Sequence, residues 1–129
     1  MSFVGESGSG HSVVMDGAPE AGGRNLGVRP MEMLLLGLGG CAAFDVVSIL
    51  QKSRQDVVDC EVLIESERSE EIPKVFTRID MQFVVSGHNL SEAKVKKAVA
   101  LSADKYCSAS EMLGKTAEMS HNYKILTIE

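Results

Sequence analysis

The sequence predicts an α+β fold, with helices packed on a mostly antiparallel sheet, and three observations predict it. A long apolar stretch opens at Pro30 and runs to about Lys52. Two segments, Val57 to Arg68 and Val75 to Val85, alternate apolar and polar residues and are joined by a short connection at Pro73. Beyond them, an amphipathic, lysine-bearing stretch starting at Ser91 leads to a last alternating segment, roughly Glu118 to Ile128. A chain of 129 residues suits one core, so a single domain over residues 1–129 is expected.

The elements follow in order. A short strand over His11 to Asp16 comes after an N-terminal extended piece. DGAPEAGGRNLGVRP is rich in glycine and proline and reads as a loop. Pro30 sits where a first helical turn tolerates proline, because its missing N–H would be unpaired there anyway. The helix it opens is apolar nearly all round from Met31 to Leu50, so it needs cover on every side. Gly37, Gly39 and Gly40 each cost it roughly 0.5–1 kcal/mol relative to alanine, yet they let a second backbone approach. A long, glycine-notched, apolar helix predicts a homodimer with this helix at its centre.

In the hairpin, Val58, Cys60, Val62 and Ile64 are expected to face in, with Asp59, Glu61 and Glu65 facing out. On the second strand Val75, Ile79, Met81, Phe83 and Val85 face in, and the short connection makes the pair antiparallel. Ser91 is the expected N-cap of a helix from Glu92 to about Tyr106. Its inner stripe is Ala93, Ala98, Leu101 and Ser102, and Lys94, Lys96 and Lys97 face water. CSASEMLGK predicts a further helical turn, begun by Ser108 or Ser110 and stopped at Gly114.

Composition excludes several functions. With 5% aromatic residues and no tryptophan, the core is aliphatic, and seven methionines fill gaps. A net charge of −5 with interspersed signs offers no basic surface for phosphates, so nucleic acid is not a partner. The N-terminus lacks the basic start and apolar stretch of a signal peptide. The run Met33 to Phe44, between the charges of Glu32 and Asp45, falls short of the roughly 20 residues that span a bilayer. The chain reads as cytoplasmic, with no membrane partner. His11, His88 and His121 have no ligand spacing, so no metal site is expected. GGRNLG lacks the context of a phosphate loop, and no cofactor is expected.

The three cysteines carry the chemistry. An odd number without an export signal argues against a disulfide framework. Cys60 is in the inward phase of a strand and reads as a small hydrophobe. Cys41 lies mid-helix beside glycines, and Cys107 ends the next helix. Taken alone, their positions leave core filler and a functional pair both open.

PMEMLLLGLGGCAAFDVVSILQK, with KYCSASEML about sixty residues later, resembles the OsmC/Ohr family, closest to its YhfA-like branch. The likeness covers nearly the whole chain. It implies an OsmC-like intertwined homodimer, with mostly antiparallel sheets wrapped around two long central helices. It also implies thiol-dependent reduction of organic hydroperoxides at the subunit interface, with an external dithiol, lipoyl-type, as reductant. On this pattern Cys41 attacks the peroxide and Cys107 resolves the sulfenic acid. The nucleophile is the thiolate, and a thiol of ordinary pKa is only a few per cent ionised at neutral pH.

The activating shell departs from the family pattern. Met31 stands where the family's helix-opening glutamate follows the proline, and Glu32 comes one residue later, rotated by about 100°. Along an ideal helix Glu32 and Cys41 are about 13 Å apart in rise. No arginine precedes Arg24. Arg29, adjoining the helix start where Glu32 could hold it, is the favoured cation, with Arg24 as its alternative. Ser108 replaces the proline common after the second cysteine. Asp45, one turn after Cys41, is expected to bond a backbone or basic group at the dimer interface. The candidate catalytic set is therefore Cys41, Cys107, Glu32 and Arg29. The competing reading is a non-catalytic dimer that binds a small apolar or electrophilic ligand in the same cleft.

Overall fold

The computed structural model describes every residue from Met1 to Glu129. The chain forms two compact units, Met1–Leu36 and Gly37–Glu129, whose boundary falls inside the long helix.

In the first unit, β1 (Ser2–Glu6) and β2 (Ser12–Asp16) pair antiparallel. The glycine-rich segment after β2 is more ordered than its composition suggests, and Pro19–Ala21 makes a 3-10 turn closed by left-handed Gly22. Asp16 organises it. Its buried carboxylate accepts the backbone N–H groups of Gly17, Arg24 and Leu26 at 2.7, 3.1 and 3.2 Å. Burial alone would raise its pKa, but these three donors hold it below the usual carboxylate value.

Helix α1 spans Pro30–Lys52. At its start Glu32 accepts the N–H of Arg29 at 2.8 Å, satisfying a donor next to the helix N-terminus. At its end Arg54 turns left-handed (φ 60°), and the Gln55 N–H reaches back to the Leu50 carbonyl at 2.9 Å, a Schellman-type stop. Leu38, Ala42, Val46 and Leu50 are fully buried, a stripe at four-residue spacing. The opposite face is open, and Phe44 is 76% exposed.

The second unit holds β3 (Asp56–Arg68), β4 (Phe76–His88) and β5 (Glu118–Thr127), in the order β3-β4-β5. β3 and β4 form the expected antiparallel hairpin. β5 joins β4 in parallel, because the chain returns through two helices to the end at which β4 began.

The expected inward phase of β3 fails at one end. A bulge between Val57 and Asp59 turns Val57 inward and leaves Val58 56% exposed. Val75 is likewise exposed and lies outside the strand, and buried Phe76 takes its place. Ile79, Met81, Phe83 and Val85 are buried as expected.

Helix α2 covers Glu92–Leu101, with the Ser91 hydroxyl accepting the Lys94 N–H. Its buried residues are Val95, Ala98 and Val99, whereas Ala93 faces solvent. The expected α-helix to Tyr106 ends early, because Ser102–Tyr106 widens into a π-helical turn. Helix α3, Ser108–Leu113, is capped by neither expected serine: the Cys107 sulfur accepts the Ser110 N–H at 3.4 Å.

Candidate functional site

Two cysteines far apart in sequence meet through these elements. α1 presents Cys41 and, one turn later, Asp45 on the same face. The π-helical turn delivers Cys107, whose N–H closes the wide turn onto the Ser102 carbonyl at 2.9 Å. Ser102 is fully buried, and its hydroxyl donates to the Ala42 carbonyl at 3.2 Å. That bond pins the turn against α1 beside Cys41. The Cys41 and Cys107 sulfurs and an Asp45 carboxylate oxygen all lie within 4.8 Å of one another.

The two thiols differ in surroundings. Cys41 is partly exposed, while Cys107 is buried. Burial pushes the Cys107 pKa up; the Ser110 hydroxyl and N–H pull it back in part, and Cys41 beside it adds to the rise. The Ser110 oxygen is itself buried without a partner of full hydrogen-bond geometry, so the N–H is the better-defined donor to the sulfur. Asp45 Oδ2 is also buried and meets no donor from its own chain. An unpartnered carboxylate oxygen beside two sulfurs is uncommon in a folded interior.

Asp45 also forms part of the wall of a cleft of about 520 Å³. Ile49 and Leu101 give it an apolar surface, and Lys52, Lys94 and Lys97 line it with positive charge.

Arg29 and Glu32 meet through the Arg29 backbone N–H, whereas the Arg29 guanidinium donates to Asn25 Oδ1 at 2.7 Å and to the Gly27 carbonyl at 3.4 Å. Cys60 pairs across the sheet with Val85 and stands outside the cluster. Half-burial first, and then neighbouring Asp59, push its pKa up to about 11. Sequence reasoning missed Ser110 as the donor to Cys107, although its position three residues after a cap was a usable signal. It also read Lys94 and Lys97 only as a wet face, since nothing local ties them to Lys52 and Asp45.

The OsmC-like protein family model matches residues 22–122. Protein YhfA of Escherichia coli K12 is 52% identical over 129 residues, covering 98% of this chain and 91% of the relative. The crystal structure of a hypothetical protein from Aquifex aeolicus VF5 superposes with a TM-score of 0.85 at 29% identity, covering 99% of this chain and 89% of that one. An organic hydroperoxide resistance protein OsmC from Legionella pneumophila superposes with a TM-score of 0.64 at 13% identity, covering 96% of this chain and 95% of that one, a likeness of fold.

Proposed function

Because the chain belongs to the OsmC-like family, a family tied to stress and peroxide resistance, we propose that it reduces organic hydroperoxides through Cys41 and Cys107. The observation that carries this reading is the approach of the two sulfurs to within 4.8 Å from positions on different elements. Cys41, partly exposed, attacks as thiolate at the outer peroxide oxygen. The O–O bond breaks, an alcohol leaves, and Cys41 becomes a sulfenic acid. The Cys107 thiol then displaces water from that sulfur, forming a disulfide. An external dithiol, lipoyl-type, restores both thiols and is itself oxidised to a disulfide. Ile49 and Leu101 in the adjoining cleft favour substrates with apolar bodies, at roughly 25 cal/mol per Å² removed from water. Hydrogen peroxide has no such surface to bury.

The same reading makes the protein a homodimer. Gly37, Gly40 and Phe44 lie on one open face of α1, and the two glycines have nothing within 4 Å of where a Cβ would stand. A second α1 can approach closely there. Across that dimer, Arg29 held near Glu32 is the proposed cation for thiolate formation. Sedimentation at micromolar concentration should give about twice the chain mass, and a stable monomer would refute the dimer.

The binding-module reading keeps one specific support: Glu32 takes the Arg29 backbone rather than its guanidinium. A consumption assay separates the two. Cumene hydroperoxide should be reduced in preference to hydrogen peroxide when a lipoyl dithiol is supplied. Cys41→Ser should abolish turnover, and Cys107→Ser should permit one oxidation and then stall. Absence of consumption with every dithiol tried would leave the binding module.

A further inference from the structure

We propose that Cys41, Asp45 and Cys107 form a binding site for a thiophilic divalent cation, with Zn²⁺ as its representative, and that the ion switches the thiol pair off. The donor set is two sulfurs and one carboxylate oxygen, mutually within 4.8 Å. In a tetrahedral zinc site, bonds of about 2.3 Å to sulfur and 2.0–2.2 Å to oxygen place ligand atoms about 3.3–3.8 Å apart. Side-chain rotations that draw the three atoms together by at most about 1.5 Å reach that spacing.

The layout is that of an open metal site. Cys41 and Asp45 are one helical turn apart, so both point to one side of α1, and Cys107 closes the set from a separate element. The fourth position is left for water, because Asp45 also forms part of the solvent-reaching cleft wall.

The second, independent observation is the buried Asp45 Oδ2 without a donor. A cation held by the two sulfurs and Asp45 satisfies a carboxylate that no donor of its own chain completes. Binding replaces two S–H bonds with two metal–sulfur bonds and releases two protons to solvent, with no change in oxidation state. Two thiolates and one carboxylate leave the centre net negative, and Lys52, Lys94 and Lys97 line the cleft that Asp45 borders. The expectation of no metal site rested on histidine spacing, which has no bearing on this set.

A metal-held thiolate is withheld from peroxide, so the ion and the hydroperoxide compete for Cys41. Only this inhibition rests on the proposed peroxidase activity; the site itself does not. The test uses reduced, full-length protein under anaerobic conditions, with Co²⁺ as optical probe and Zn²⁺ as competitor. One equivalent of Co²⁺ per chain should produce a thiolate-to-cobalt charge-transfer band and the visible bands of tetrahedral cobalt, both erased by Zn²⁺. Cys60→Ser should leave the titration unchanged. Cys41→Ser and Cys107→Ser should each remove the tetrahedral signature, and Asp45→Asn should weaken binding at least tenfold. X-ray absorption on the wild-type zinc complex checks the ligands without relying on any variant, and should give two sulfurs at about 2.3 Å with oxygen neighbours at about 2.0 Å. Absent charge-transfer bands, a titration insensitive to either cysteine variant, or an all-oxygen shell would overturn the site. An unchanged affinity in Asp45→Asn would overturn the place given to Asp45. Loss of peroxide consumption on zinc addition, reversed by a chelator, is the expected consequence in an active preparation. Zinc bound as described without that inhibition would overturn the switch.

Discussion

Oxidation of the thiol pair should make this protein markedly harder to melt. A Cys41–Cys107 bond closes a loop of about 65 residues, and the chain-entropy relation gives about 4 kcal/mol of stabilisation for such a loop. The sulfurs, now within 4.8 Å, must close to about 2.05 Å. Rotating the side chains off their preferred wells to do so costs on the order of 1 kcal/mol. The net is about 3 kcal/mol. For a chain of this length, each kcal/mol corresponds to about 3–5 °C, so the melting temperature should rise by about 10–15 °C. The assay compares reduced protein with protein treated with one equivalent of cumene hydroperoxide. Melting is followed by circular dichroism at one protein concentration, because dimerisation makes the midpoint concentration-dependent. Mass spectrometry identifies the crosslink, and a dithiol should return the melt to its starting value. A verified 41–107 crosslink with an unchanged or lowered midpoint would refute the reasoning, since the sulfurs would then have met only in a distorted fold.

Three further outcomes are expected. Ser102→Ala removes the bond to the Ala42 carbonyl, which should cost about 0.5–1.5 kcal/mol by chemical denaturation and slow 41–107 crosslinking. Equal crosslinking rates would show that this bond does not position Cys107. Cys60, with its pKa pushed up to about 11, should resist iodoacetamide at pH 8 while Cys41 reacts. Its raised folded pKa contributes stability that is intact below the unfolded thiol value of about 8.5 and is lost as pH climbs through 11. Cys60→Ser should flatten that alkaline slope, and an unaltered slope would assign it elsewhere. For Asp16 the sign is opposite. Its folded pKa is depressed, so its contribution is present above the ordinary value near 4 and is lost as pH falls through the lower, folded value. Asp16→Asn should therefore weaken the acid dependence of amide protection at Arg24 and Leu26, and identical acid profiles would sink the assignment.

Much of this architecture was legible along the chain because its causes are local. Period-two alternation marked β3 and β4, Pro30 marked the start of α1, and Ser91 marked the start of α2; each needs only a few neighbours to act. Two of the errors lie where one residue shifts phase: the bulge at Val57 and Asp59 reverses Val58, and the widening at Ser102 ends α2 early. Sequence by itself also determined that Cys41 and Cys107 belong to a family pattern, since the glycine-rich helix and the KYCSASEML end carry it together. The tertiary structure decided through which contacts they meet. Contact between α1 and the π-helical turn depends on the Ser102 bond to Ala42 and on the burial of the stripe from Leu38 to Leu50, neither of which has a local signature. It alone also left Asp45 Oδ2 buried and unpaired in a side chain that brings a carboxylate oxygen near both sulfurs. Whether a carboxylate finds a donor depends on what the rest of the chain brings to it, and no spacing in the sequence records that.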